Sequence, residues 1–348
     1  MFWFGIGYLL EPIIMAVALG LFIAMAPYIT RTPRGEKELK FFMFLTIVGY
    51  ALILFAAYAF LTSYLGYVPS LWTFALILTG IGALQYFIAP FLINIMYRAE
   101  PAPPEIQEMV NRLAQRSGLK PPKAMIARVP IPNAFAYGNF LTGRYVALTE
   151  GITRTMDEEE LEAVIGHELG HHKHNDIWLI LALSLAPMFV YYLGRIMMEW
   201  GFWGSASERD RENSSLAFLV AGIALVAISF ILNFIILQFN RLREYYADLH
   251  GAKVKGKKPM QRALARLHVT FENIKSNPVY QKELEQFNES PAKMLFIYAF
   301  TQTFASPYYD MDEIIERLKR EETNPIMEVF MSHPPIPKRL RFLDNISE

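Results

Sequence analysis

Four of the seven histidines of this 348-residue chain lie between His167 and His174, and the first two bracket a glutamate in His167-Glu168-Leu169-Gly170-His171. On an α-helix, residues i and i+4 stack on one face about 6 Å apart, so both imidazoles can reach one Zn²⁺. Glu168 is turned beside them, where it can meet a water at the metal. A catalytic zinc takes three protein ligands and keeps one position open, so one more donor is required. His174 shares the face but lies about 10 Å further along the axis, out of reach of the same ion. It and His172 are expected as solvated or lipid-interface histidines. With no cysteine in the chain, only His and carboxylates can hold a metal.

The better source of a third ligand is Asn240-Arg241-Leu242-Arg243-Glu244-Tyr245-Tyr246-Ala247-Asp248, where Glu244 and Asp248 stand at i and i+4. Glu244 can complete the site, while Asp248 accepts the other N–H of a ligand histidine. The plain alternative is a pair of surface carboxylates answering Arg241 and Arg243, and the nearby H-E-x-x-H weighs against it.

Elements must bring these two segments together. Thr155-Met156-Asp157-Glu158 reads as a capping box that starts the histidine helix, with Leu161, Val164 and Ile165 as its buried stripe. Upstream, Pro103 and Pro104 open a short helix with a stripe of Ile106, Met109, Val110 and Leu113, closed by Ser117-Gly118. Lys123 to Val129 and Arg144 to Leu148 alternate like strands, and the run between them reads as part of a hairpin. Pro259 to Ile274 has the pattern of an amphipathic helix. Pro291 to Ala305, apolar but too short to cross a bilayer, is expected in the core of the polar part.

The rest of the composition belongs to a membrane. The chain is 53% hydrophobic and only 19% charged, and Phe41 to Tyr97 carries no Asp, Glu, Lys or Arg, about twice the length of one crossing. Five spans are predicted: Pro12 to Ile29, Phe41 to Leu65, Leu71 to Tyr97, Ile177 to Met198 and Leu216 to Asn240, the second and third split at Gly66 and Pro69. The loop from Thr30 to Lys40 carries Arg31, Arg34, Lys37 and Lys40 and reads as cytoplasmic. An even number of crossings then separates the two polar pieces, so they share one face. The expected organisation is three spans in 1–97, a first catalytic part in 98–176, a membrane hairpin in 177–240 and a second catalytic part in 241–348. Zero net charge offers no footprint for nucleic acid, and none is expected as a partner.

The helix from His167 to Asp176, the segment Asn240 to Asp248, the stretch Asn133-Ala134-Phe135-Ala136 and the late Ser332-His333-Pro334-Pro335 together resemble, in order and spacing, the HtpX family of integral-membrane zinc metallopeptidases, relatives of the CAAX prenyl proteases. The resemblance runs from about residue 100 to the C-terminus. Family members usually have two hydrophobic segments before the catalytic helix, where this chain has three.

The resemblance implies a mainly α membrane protein with a helical zincin-like domain and a small β-sheet. It also implies one Zn²⁺ per chain on His167, His171 and Glu244, with Glu168 as catalytic base and Asp176 at a position where the family shows Asp. It places His333 beside the cleft as the donor to the oxyanion, with Arg241 as the alternative. Asn133, Ala134, Phe135 and Ala136 are then candidates for an exposed edge strand that pairs with an extended substrate backbone. The implied function is an endopeptidase for misfolded or damaged proteins in the plasma membrane, its catalytic part on the cytoplasmic face, with unfolded polypeptides and the lipid bilayer as partners. Two other readings stand beside it: a prenyl-protein protease, which five spans argue against, and a non-enzymatic metal-binding membrane protein, whose transport path would have only Asn94, Asn233 and Arg195 to line it.

Overall fold

The computed structural model describes residues 4–65, 70–174, 176–203, 210–276 and 310–346. Three helices, α1 (Phe4–Ile29), α2 (Glu36–Leu65) and α3 (Ser70–Met96), lead into strand β1 (Glu100–Pro101) and helix α4 (Pro104–Arg116). Strands β2 (Lys123–Ala127), β3 (Ala134–Asn139) and β4 (Gly143–Thr149) follow, then helices α5 (Glu150–Thr155) and α6 (Glu158–Lys173). Next come α7 (Asp176–Trp203), α8 (Asp210–Lys255) and α9 (Lys257–Ser276), and after them α10 (Met311–Arg320), α11 (Pro325–Val329) and α12 (Ile336–Asp344). The turn at Gly66 and Pro69, the stretch from Pro291 to Ala305 and the side chain of Asp176 lie outside the described residues.

Among the described residues four helices are long and apolar enough to cross a membrane, over Glu36–Ala59, Thr79–Met96, Leu179–Phe202 and Ser215–Lys255. Met15–Ile29 of α1 is a shorter apolar stretch, so the first expected span is not among these four. The chain is a mainly helical, multi-pass membrane protein. Its longest helix, α8, has 46 residues and at 1.5 Å each extends about 69 Å, against a hydrocarbon core of about 30 Å. The excess carries Glu244 and Asp248 out of the lipid on an unbroken helix.

The two polar pieces meet in one apolar core. Val110 and Leu113 of α4, Val164, Ile165 and Leu169 of α6, Leu242 and Leu249 of α8, Leu264 and Phe271 of α9, and Leu340 and Phe342 of α12 all belong to it. The crossing of α6 over α8 is glycine-dependent. A methyl on Gly251 would come within 2.8 Å of the Ala163 carbonyl oxygen and 3.1 Å of the His167 nitrogen, and one on Gly170 within 3.1 Å of the Ala247 Cα. These bare backbones let the histidine helix approach the carboxylate helix closely. Gly251→Ala is accordingly expected to destabilise the fold by about 1–3 kcal/mol through overpacking, measured as a lowered thermal midpoint in detergent.

The start of α6 differs from expectation by two residues. Asp157 is its N-cap, its side chain accepting from the Glu160 backbone while the Glu160 side chain returns to the Asp157 N–H. Thr155 instead ends α5, its hydroxyl donating to the Gly151 carbonyl at 2.5 Å.

The sheet order is β1-β2-β4-β3, with β2 parallel and β3 antiparallel to β4, so β3 is an edge. Thr149 N–H donates to the Asn133 carbonyl. That bond sets the phase of the ladder, in which Ala136 faces Val146: Ala134, Ala136 and Gly138 turn their backbone groups to the open edge.

Candidate metal centre

α6 and α8 together place three donors around one point. His167 Nε2 lies 3.5 Å from Glu244 Oε2, and His171 Nε2 lies 3.6 Å from Glu244 Oε1. The two imidazole rings stand 5.0 Å apart and nearly perpendicular, at 89°. One atom from each of the three residues falls within 4.8 Å of the others. A tetrahedral ion with bonds of about 2.0–2.1 Å sets its ligand atoms about 3.4 Å apart, close to this spacing.

The hydrogen-bond pattern fits a cation as well. His167 Nε2, Glu244 Oε2 and Glu168 Oε1 are buried without a hydrogen-bond partner, a costly state for polar atoms unless another ligand meets them. Burial by itself would lower the His167 imidazole, but the Asp248 and Glu244 carboxylates outweigh it and hold its pKa up at about 9. The same negative field favours a bound metal. Burial pushes the Glu168 carboxyl up, against the opposing pull of His167 and His171, and the Ala136 backbone hydrogen bond steadies its charged form. A carboxylate raised in this way is a stronger proton acceptor than an exposed one.

Asp248 Oδ1 accepts from His167 Nδ1 at 3.0 Å, which turns Nε2 toward Glu244. Asp248 is in turn gripped by Arg339, whose Nε donates to Oδ2 at 2.7 Å and whose second nitrogen donates to Oδ1 at 2.5 Å. The same guanidinium lies 3.8 Å from Glu244 Oε2, and Arg339 is 0% exposed. Sequence reasoning missed Arg339. It stands beside Lys338 and Arg341 in α12 like any helical cation, and its partner is 91 residues away.

A cavity of about 650 Å³ opens on this centre. Its walls include Ala134 to Gly138 of β3, Glu168 and His171 of α6, Glu244 and Arg243 of α8, His333, and the apolar Pro90, Ile93, Ile180 and Leu237 of the membrane helices. His333 Nε2 is 3.7 Å from Glu244 Oε1, and Ser332 Oγ lies 2.9 Å from Nδ1. Burial outweighs Glu244 and pushes the His333 imidazole down to about 4, so it stands neutral. A Ser332 hydroxyl donating to Nδ1 leaves the proton on Nε2, the nitrogen facing the cavity. Arg243, also unanticipated, reaches His171 Nδ1 at 3.4 Å.

Three expectations need correction. Asn133 does not line the cavity: it is buried, its N–H donates to Thr149 Oγ1 at 2.8 Å and its carbonyl accepts from Thr149 N–H, so β4 takes both groups. Arg241 does not reach the metal centre. Its guanidinium donates to the carbonyls of Glu328, Val329 and Met331 and to Gln238 Oε1, fastening the segment that carries His333. His172 is buried rather than solvated, its Nε2 2.8 Å from the Tyr145 carbonyl oxygen. His174 packs its ring 4.0 Å from that of Tyr246.

β3 is held at the cavity by α3. Pro90 lies inside α3 and offers no N–H to the carbonyl of Tyr86. Asn139, at the end of β3, donates to that carbonyl at 3.1 Å and to the Phe87 carbonyl at 3.2 Å. Tyr137 donates to Asn94 Oδ1 at 2.5 Å.

The model of peptidase family M48 matches residues 102–347. The chain belongs to peptidase family M48. Among curated relatives of this M48 chain, the "Protease HtpX homolog" of Archaeoglobus fulgidus is 40% identical over 346 residues, covering 97% of this chain and 98% of the relative. That of Aeropyrum pernix is 46% identical over 269 residues, covering 76% and 82%. In fold, the M48 chain is similar to the crystal structure of S. mikatae Ste24p, with a TM-score of 0.52 at 19% identity over 90% of this chain and 68% of that one. The M48 chain is a membrane metallopeptidase of the HtpX type.

Proposed function

We propose that this M48 chain is a zinc-dependent endopeptidase that hydrolyses unfolded or damaged polypeptides at the plasma membrane, its catalytic part on the cytoplasmic face. The observation that carries the reading is the convergence of His167, His171 and Glu244 beside Glu168, at the end of a cavity open to the free edge of β3. The all-nitrogen and oxygen donor set, its count and its spacing suit zinc. A zinc ion held there would act as a Lewis acid on the peptide carbonyl and make an adjacent water more acidic.

The chain's own residues do the rest. Ala134 and Gly138, with the carbonyl of Ala136, bind an extended substrate through backbone hydrogen bonds, a mode nearly indifferent to sequence. Glu168 takes a proton from the attacking water and delivers it to the leaving amine. His333 donates Nε2–H to the oxygen on which negative charge develops. Asp248 and Arg339 keep His167 in one orientation. The cytoplasmic assignment rests on the basic loop before α2: Glu36, at its end, pairs with Lys253 of α8 at 2.5 Å, so that loop and the centre stand on one side of the membrane. The four pieces 1–97, 98–176, 177–240 and 241–348 then act as membrane anchor, first catalytic part, connecting hairpin and second catalytic part.

The test is digestion of a denatured, unlipidated protein such as casein by the detergent-purified chain. Cleavage should cease with a zinc chelator and return on restoring Zn²⁺ but not Mg²⁺. Cleavage confined to prenylated C-terminal peptides, or activity indifferent to chelation, contradicts the reading.

A further inference from the structure

We propose that the groove next to the catalytic cavity is a subsite for acidic side chains of the substrate, on the amino-terminal flank of the bond cleaved. The inference rests on the peptidase reading above. The groove has a volume of about 450 Å³ and shares Tyr86, Gly138 and His171 with the catalytic cavity, so the two are continuous. Its charged wall is formed by Lys120, Lys123 and Arg144, and no carboxylate lines it among the described residues. The catalytic cavity, by contrast, holds Glu168 and Glu244. A chain bound along β3 therefore passes from a site with two carboxylates into a wall of cations.

The register places Lys123 and Arg144 on opposite faces of the sheet near the end of β3, as alternate side chains of a paired substrate also project. Gly138 lies opposite Arg144, Tyr137 opposite Tyr145, and Tyr145 opposite Lys123 on the next strand. Lys123 Nζ stands 5.6 Å over the Tyr145 ring, which itself stacks on Tyr137, so the ammonium is held near the end of β3. Ala136, whose backbone acts on Glu168, marks the reacting level. The cations begin one to two residues beyond it, or about 3–7 Å at the strand rise. Antiparallel pairing is the more stable ladder, and a substrate running against β3 lays its amino-terminal residues toward Gly138. The second and third residues before the cleaved bond thus meet Lys120, Lys123 and Arg144. Continuity with the cavity favours a substrate side chain over a lipid phosphate as occupant.

The experiment is cleavage of a peptide library by the zinc-loaded full chain in neutral detergent, with cut sites mapped by mass spectrometry. For the wild type, Asp or Glu at the second or third residue before the bond is expected to raise kcat/KM roughly fivefold over Lys at low salt, a preference that fades as salt rises. In Lys120→Glu/Lys123→Glu the acidic-to-basic ratio is expected to invert. A flat wild-type profile, an acidic preference on the carboxyl flank, or a preference untouched by charge reversal overturns the proposal. So does a charge reversal that alters only the response to anionic phosphatidylglycerol vesicles, which would assign the cations to lipid headgroups. Absence of cleavage of any peptide is a different result, and it overturns the peptidase reading itself.

Discussion

Glu168→Gln is expected to keep about one zinc per chain and to lose proteolysis by roughly a thousandfold, within the usual range for removing a general base. Glu168 is buried between the two histidines, yet its Oε1 meets no partner and it is not part of the donor cluster of His167, His171 and Glu244. Glutamine fills the same space and its carboxamide oxygen can still accept the Ala136 backbone hydrogen bond. It cannot accept a proton from water. Metal content measured beside digestion of a denatured protein checks both halves, and proteolysis retained in this variant would move the base to another residue.

Arg339→Ala is expected to be the most destabilising single change at the site, by about 3–5 kcal/mol, because it removes the cation that grips both oxygens of the buried Asp248 carboxylate. Both residues are 0% exposed. The loss should also reach the metal. Asp248 orients His167, so loosening it is expected to weaken zinc binding by about 10–100-fold. Arg339→Lys restores a charge but not the two-pronged hydrogen bond to Asp248, and should recover part of the stability only. Thermal unfolding in detergent and zinc competition with a chromogenic chelator measure the two effects. Wild-type stability and affinity in Arg339→Ala would show that the buried pair does not support the site.

What was legible in the sequence was local or periodic. A stretch without charge can only be membrane, and an H-E-x-x-H at helical spacing sets two imidazoles on one face. The i, i+4 pair Glu244 and Asp248 divides its labour as that spacing suggests: Glu244 faces both histidines, and Asp248 takes the far nitrogen of His167. The edge strand was also readable, though shifted, since Asn133 is absorbed by Thr149 and the free backbone groups begin at Ala134. The misses are long-range. Nothing near Arg339 shows that it will be buried against a carboxylate on another helix. Nor does a proline in α3 announce which side chain will serve the carbonyl it frees, here Asn139 from a distant strand. Arg241, the alternative donor to the oxyanion, lies three residues before Glu244 in the sequence. In the fold its guanidinium is taken up by the carbonyls of Glu328 and Val329 in α11 and of Met331 just beyond it.

The zinc content of Glu244→Ala, purified in detergent beside the wild type at the same free zinc, tests the central assignment most directly. With Glu244 as the third ligand, the wild type should carry about one zinc per chain and the variant far less, its remaining histidines holding the ion only weakly. A variant that retains a full, tightly held zinc would contradict the account and require a different third ligand.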